Sequence, residues 1–126
     1  MTEIDPAAID DYLASLDDDQ QHVLDHYYSR VPAIVPDAVV GVSYAMPCYL
    51  HRGKGLVSVM ATRGGYSFIP FSGSLLPALA DEFGVELDLS EKSGTVRVKP
   101  DELLPDDLFD RMVELRRDQI DVQARR

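Results

Sequence analysis

The sequence contains a single cysteine, Cys48, among its 126 residues. One cysteine excludes a disulfide bond within the chain and any metal site built from several thiolates, and it is typical of a protein from a reducing compartment. The chain also has no apolar run near the roughly 20 residues that a membrane-spanning helix requires. Its first residues, MTEIDPAAIDDY, have neither the basic region nor the apolar stretch of a signal peptide. We therefore expect a cytoplasmic protein that does not enter the membrane.

Lysine and arginine are missing from residues 1–29, which carry eight acidic side chains. Because the net charge of the whole chain is −10, this segment supplies most of the excess negative charge. Such a field opposes the binding of nucleic acid and of anionic membranes, whose phosphates have the same sign. A divalent cation or a basic protein is the natural partner, and we expect the chain to act as a monomer or a homodimer.

Recognisable catalytic motifs are also lacking. Cys48 lies in an apolar run where cysteine usually serves as a small buried hydrophobe, and no neighbouring cations would lower its pKa. Gly53 and Gly55 in HRGKG are too closely spaced for a phosphate-binding loop, and no helix follows them. No nucleophile–base pair or closed set of metal ligands is present. We expect a protein that is not a conventional enzyme.

The β-forming residues are concentrated between Ala38 and Pro70. Short apolar runs alternate there with glycine and proline, which predicts strands at Val39–Ser43, Cys48–Leu50, Leu56–Thr62 and Tyr66–Ile69. The connections are too short for the crossover of a dozen or more residues that parallel strands need, so the strands must form an antiparallel meander. A further strand is expected at Gly94–Val98, and residues 85–93 are a connection that could hold a brief strand.

Helices are expected on both sides of this meander, near residues 5–16, 18–31, 75–83 and 105–120. Asp5 before Pro6 and Asp17 with Gln20 read as helix starts, and Pro32 is expected to end the second helix. Residues 122–126 are expected to fray. The order α-α-β-β-β-β-α-β-α predicts one α+β domain over residues 1–126, with an antiparallel sheet of about five strands packed by helices.

Several segments resemble the YdhG-like family of small, mostly uncharacterised bacterial proteins. The resemblance rests on SYAMP, LVSVMA, RGGYSFIP, SGTVRV and the LLP that precedes the last helix, together with IDDYLASL near the N-terminus. It implies an α+β fold, and the family's grouping with frataxin-like iron chaperones implies a role in iron binding. A histidine that the family carries before the fourth strand is replaced here by Arg63-Gly64-Gly65, so no ligand contact through it is expected.

The acidic second helix is the first candidate site. At 100° per residue its apolar stripe leaves five possible ligands on the opposite face, namely Asp18, Asp19, His22, Asp25 and His26. Carboxylates with imidazole one turn away suit weak binding of ferrous iron or another divalent cation. The alternative is a solvated helix face whose first acids serve only as caps.

The exposed face of the sheet is the second candidate site. Two guanidinium groups and two phenols could converge there on a carboxylate or phosphate, together with a threonine: Tyr44, Arg63, Tyr66, Thr95 and Arg97. The alternative is ordinary cross-strand pairing on a polar sheet face. The sequence therefore leaves two functions open, a metallochaperone or interaction module and a domain that binds a small anionic ligand.

Overall fold

The computed structural model describes residues 2–84 and 94–125 with their side chains, and the backbone of residues 88–90. Within these residues the strands are β1 (Thr2–Ile4), β2 (Val39–Ser43), β3 (Met46–His51), β4 (Lys54–Thr62), β5 (Gly65–Ile69), β6 (Asp88–Ser90) and β7 (Thr95–Val98). The helices are α1 (Ala8–Ala14), α2 (Asp18–Ile34), α3 (Leu76–Phe83) and α4 (Asp106–Ala124). The strands form one antiparallel sheet in the order β1-β2-β3-β4-β5-β7-β6.

The expected α+β architecture with an antiparallel meander is confirmed, although the sheet has two more strands than the five predicted. One of them, β6, lies in the connection where a brief strand was considered possible, and the rest of that connection lies outside the described residues. The other, β1, comes before the first helix, where no strand was predicted. The chain therefore begins with a strand, and the predicted element order needs this correction.

The β1 strand has only three exposed residues and no alternating pattern, which is why the sequence did not predict it. It pairs with the outer edge of β2, and the hydroxyl groups of Thr2 and Ser43 lie 3.0 Å apart. A Cβ atom at Gly41 would collide with the carbonyl oxygen of Glu3, so glycine is what lets the two backbones approach here.

Three helices start within one residue of the prediction, but α1 starts at Ala8 rather than at the predicted Asp5–Pro6, and α2 and α4 end later than predicted. Asp17 and Gln20 form the expected capping box, in which the Gln20 amide donates to Asp17 Oδ1 at 2.8 Å. Pro32 does not end α2, which continues to Ile34, because proline removes a single donor and the Val35 amide still bonds to the Val31 carbonyl at 2.8 Å. The last helix continues to Ala124, four residues beyond the predicted end.

The core lies between one face of the sheet and the helices. Its centre is an aromatic cluster in which the ring of Tyr27 packs 4.8 Å from Phe68 and 5.0 Å from Phe109. Leu24 and Met112, from the two long helices, are fully buried beside these rings. No described helix has the length and apolar character that a membrane crossing would need.

The sheet opens between β3 and β4, and tyrosine hydroxyls fill the opening. Pairing of β3 with β4 covers Tyr49–His51 and does not extend to the residues before Tyr49, where Pro47 has no amide hydrogen to donate. The Tyr28 hydroxyl enters from α2, donates to the Val59 carbonyl at 2.7 Å and accepts from the Val59 amide at 2.8 Å. A buried side chain thus replaces a missing strand partner, which satisfies backbone groups that would otherwise be unpaired.

Candidate functional site

A cavity of about 770 Å³ opens where the β4–β5 turn, the end of β7 and the segment before α4 meet. We call it the basic-rimmed cavity. Its charged lining residues are Arg63, Arg97, Lys99 and Glu102, and its apolar lining residues include Val96, Val98, Leu103, Leu104 and Leu108. Val96 and Leu108 belong to the buried core, whereas Leu103 is 40% exposed. The cavity therefore joins a charged opening to an apolar floor.

Positive charge dominates the rim. Arg63, Arg97 and Lys99 are all exposed, and no ion pair between described side chains involves any of them. The backbone register sets Asp88 of β6 opposite Arg97. Guanidinium groups present paired donors that match the oxygens of a carboxylate or a phosphate. A rim of this kind can recognise an anion in a chain that is otherwise strongly acidic.

One wall of the cavity is held by a buried tyrosine. The Tyr27 hydroxyl donates a hydrogen bond to the carbonyl oxygen of Leu104 at 2.5 Å. Burial is the main cause that raises the pKa of Tyr27 to about 12, so the phenol stays neutral and remains a donor at physiological pH. The segment before α4 is therefore fixed to the core rather than left as a free loop.

Only two of the five predicted ligand residues, Arg63 and Arg97, line this cavity. Tyr66 is on the other side of the sheet: Ser67 pairs with Arg97 and Tyr66 with Val98, so Tyr66 faces the helices and is 5% exposed. The prediction that Tyr66 shares a face with the arginines is therefore wrong. A strand alternates its side chains, and the sequence left the register of this strand open.

Of the remaining two predicted residues, Tyr44 is separated from the rim, whereas Thr95 lies beside Arg97. Tyr44 belongs to the two-residue turn between β2 and β3, where its φ of 52° is left-handed, and its ring stacks on Phe71 with centroids 6.2 Å apart. The structure therefore corrects the expected convergence. Thr95 lines a neighbouring cavity of about 410 Å³ on the open sheet face, which it shares with Arg97.

Lys99 is the rim residue that the sequence analysis missed. It follows Arg97 by two positions, and residues two apart in an extended chain point to the same side. That spacing was the available signal. The apolar floor could not have been found in this way, because Leu104 and Leu108 approach β7 only after the chain has folded.

The five predicted metal ligands do not meet at one point. Asp18, His22 and Asp25 line a shallow surface depression of about 320 Å³ between α1 and α2. His26 points instead to α4, where its Nε2 atom lies 2.7 Å from Asp106 Oδ1. Asp19 lies near Tyr66, whose pKa is raised by burial and then by the charges of Asp17 and Asp19. Among the described residues no group of three or more His, Cys, Asp or Glu is arranged to hold a metal ion.

Cys48 and His51 are two further groups that could take part in catalysis, and the contacts of both are those of structural residues. Burial raises the pKa of Cys48 to about 11, so its thiol stays protonated. His51 Nε2 lies 2.8 Å from Asp121 Oδ1, and its Nδ1 is buried without a partner among the described atoms. No described contact joins a nucleophile to His51, so this pair does not form a catalytic triad.

A solved structure from Bacillus subtilis, described as a protein from the DUF1801 family (YdhG), matches 88% of this chain and 89% of its own with a TM-score of 0.74. The fold is YdhG-like. The two sequences are 13% identical, so the likeness to YdhG shows the fold and nothing finer. It gives no support to the grouping with frataxin-like iron chaperones. No family model and no curated protein matches the sequence.

Proposed function

We propose that this YdhG-like domain binds a small amphipathic anion, a carboxylate or phosphate attached to an apolar body, in the basic-rimmed cavity. The observation that carries this proposal is the combination of three exposed cations with an apolar floor in one cavity of about 770 Å³. Ligand sites are typically concave and mostly apolar with a few polar groups that fix orientation. A purely structural sheet face would offer neither a cavity of this volume nor a group of cations without an ion-pair partner among the described side chains.

The charge balance favours an anion over a cation at this rim. Among the described residues that line the cavity, three cations, Arg63, Arg97 and Lys99, outnumber one acid, Glu102, in a molecule whose net charge is −10. Cations on such a protein usually pair with its abundant carboxylates, yet none of the ion pairs between described side chains involves Arg63, Arg97 or Lys99. An incoming anion would gain charge-assisted hydrogen bonds, and its apolar body would displace water from Leu103 and Val98.

Octanoate is a suitable probe, because it carries a carboxylate and a short apolar chain. We expect a titration followed by amide NMR to shift residues around Arg63, Arg97 and Leu103. The double variant R63Q/R97Q should bind at least about tenfold more weakly, since a hydrogen bond to a charged group contributes about 1.5–3 kcal/mol. The matched control is R125Q, which removes an exposed arginine outside the cavity. Equal affinity in R63Q/R97Q and R125Q would refute the proposal.

The acidic helices support a second, weaker candidate function, the binding of iron or another divalent cation or of a basic partner. Asp18, His22 and Asp25 line one depression, which is the specific observation in its favour. The test is a calorimetric titration of ferrous iron or manganese into the wild type and into D18N/H22Q/D25N under anaerobic conditions. His26 is left unchanged because it contacts Asp106. Coincident titration curves would leave these helices as a solubilising surface.

A further inference from the structure

A second cavity, of about 540 Å³, lies on a different part of the molecule. It is formed by the β2–β3 turn, the β3–β4 turn, the segment 71–74 and the C-terminal half of α4. We call it the Arg116 pocket. It shares no lining residue with the basic-rimmed cavity, and its lining contains two cations, Lys54 and Arg116, and no acidic residue.

Arg116 is the unusual residue of this pocket. It is 8% exposed, and it has no carboxylate partner among the described residues. A guanidinium group stays charged in proteins, and a buried charge is normally paired because its desolvation is costly. Here Nε donates to the Gly55 carbonyl at 2.9 Å and Nη1 donates to Gln119 Oε1 at 2.8 Å. Both acceptors are neutral, so the charge itself is not compensated.

The third nitrogen of the guanidinium group remains available. Nη2 of Arg116 has no hydrogen bond to any described residue. Nη2 is not fully buried either. Among the described residues, the fully buried side-chain nitrogen or oxygen that lacks a hydrogen-bond partner is His51 Nδ1. Arg116 lines the pocket, and its Nη2 keeps two N–H groups that have no partner among the described residues. The hydrogen bond from Nε to the Gly55 carbonyl is a structural role, but a neutral glutamine could donate to that carbonyl equally well. This bond alone therefore does not account for a buried charge.

Hydroxyl groups from separate segments line the same pocket as Arg116. Thr2 and Ser43, from β1 and β2, have their hydroxyl oxygens 3.0 Å apart, and Ser72 and Ser74, from the segment after β5, have theirs 3.1 Å apart. The Lys54 ammonium group adds a second positive charge without an ion-pair partner in the described part of the chain. Donors that approach from several directions suit an anion with several oxygens better than a carboxylate with two.

We propose that the Arg116 pocket binds a tetrahedral oxyanion, either inorganic phosphate or the phosphate group of a small ester. The Arg116 pocket is lined mainly by polar residues, whereas the basic-rimmed cavity has an apolar floor. The two sites therefore take different ligands. The binding of phosphate here does not depend on the binding of an amphipathic anion there.

The test is a phosphate titration at constant ionic strength, followed by amide NMR, with sodium chloride as the reference anion. Saturable shifts are expected at Gly55, Ser72–Ser74 and Gln119. R116Q should bind phosphate at least about tenfold more weakly, because it removes a charged donor, and K54Q should bind several-fold more weakly. The matched controls are R125Q, directly after the same helix, and R63Q/R97Q, both of which should bind phosphate as the wild type does.

Glycerol phosphate in a parallel titration distinguishes the two sources of the anion. Tighter binding than inorganic phosphate identifies an ester that uses the remaining volume of the pocket, and equal binding identifies the free ion. K54Q keeps the test valid if R116Q does not fold, because Lys54 is exposed. The absence of saturable shifts, or equal phosphate affinity in the wild type, R116Q and K54Q, would overturn the proposal.

Discussion

The two sides of α2 meet the rest of the molecule in different ways. On the side that faces the sheet, the buried Tyr28 hydroxyl replaces the strand partner that Val59 lacks. On the side that faces α4, His26 and Arg30 meet Asp106 and Asp110 in a seam that is partly open to solvent. The comparison teaches that the number of contacts is a poor guide to their contribution, because water competes for the exposed pairs and not for the buried hydroxyl.

The same comparison bears on the acidic surface. The sequence pattern assigned His26 to a solvent-facing metal cluster, but the tertiary structure commits it to Asp106 of α4. Arg30 is held by both Asp106 and Asp110, and the hydrogen bond to Asp110 is the main cause that raises the pKa of Arg30. The seam thus uses charges of both signs to join two helices.

The largest expected effect is that of Tyr28→Phe. The change keeps the ring but leaves the amide and carbonyl of Val59 without their partner. Because each buried unsatisfied group costs about 1–3 kcal/mol, we expect the free energy of unfolding to fall by roughly 2–4 kcal/mol in urea denaturation. The control is Tyr49→Phe, since the Tyr49 hydroxyl makes no hydrogen bond to a described residue. Similar losses in both variants would contradict the role given to the Tyr28 hydroxyl.

A smaller loss is expected for Tyr12→Phe. The Tyr12 hydroxyl accepts one hydrogen bond, from the Ala61 amide at 2.9 Å, and the side chain is only half-buried. Water can reach a group in this position, so the free energy of unfolding should fall by about 1 kcal/mol. Urea denaturation of Tyr12→Phe, Tyr28→Phe and the double variant measures both effects. If Tyr12→Phe lowered the free energy of unfolding as much as Tyr28→Phe, the number of hydrogen bonds made by each hydroxyl would not explain the two losses.

The ion pair between Arg30 and Asp110 should contribute less than either tyrosine. Arg30 Nη2 lies 2.7 Å from Asp110 Oδ2 and its Nε lies 2.9 Å from Oδ1, but both side chains are about one-third exposed. A double-mutant cycle with R30Q and D110N should give a favourable coupling that shrinks as sodium chloride is added, because salt screens exposed charges. A coupling that is insensitive to salt would indicate a pair shielded from water.

The smallest expected effect is a change in acid stability. The hydrogen bond from His26 is the main cause that lowers the pKa of Asp106 below its ordinary value of 3.8. As the pH falls, the Asp106 carboxylate is protonated in the unfolded chain before it is protonated in the folded protein. Its contribution to the free energy of unfolding is therefore complete above about pH 4 and is lost as the pH falls through the lowered pKa. Denaturant titrations at a series of acidic pH values should show that the free energy of unfolding falls less steeply with decreasing pH in D106N than in the wild type. An unchanged slope would mean that this pair is not formed in solution.

Much of the secondary structure could be predicted from local chemistry. The capping box of Asp17 and Gln20 starts α2, and Gly84 ends α3 with a left-handed φ of 62°. These signals act over three or four residues, so they are readable without a fold. The same reasoning failed at β1, because a three-residue edge strand is held by pairing with residues about 40 positions away. It failed at Pro32 because one missing donor near a helix end costs little.

The candidate sites could be predicted only in part. Arg63 and Arg97 were found because their guanidinium groups were assigned to the polar face of the predicted sheet, whereas Tyr66 was misplaced because strand register is a property of the partner strand. The Arg116 pocket gave no signal at all, since the α4 pattern reads as an ordinary amphipathic helix that ends in arginines.

The sequence by itself determined the α+β class, the antiparallel sheet and the starts of three of the four helices in the described residues, because propensity, capping and short connections are local properties of the chain. Only the tertiary structure decided which charges are paired and which face cavities. His26 meets Asp106 across 80 residues, and Arg116 meets Gly55 across 61. The physical reason is that desolvation and pairing depend on which distant segments pack together, and no local pattern encodes that distance.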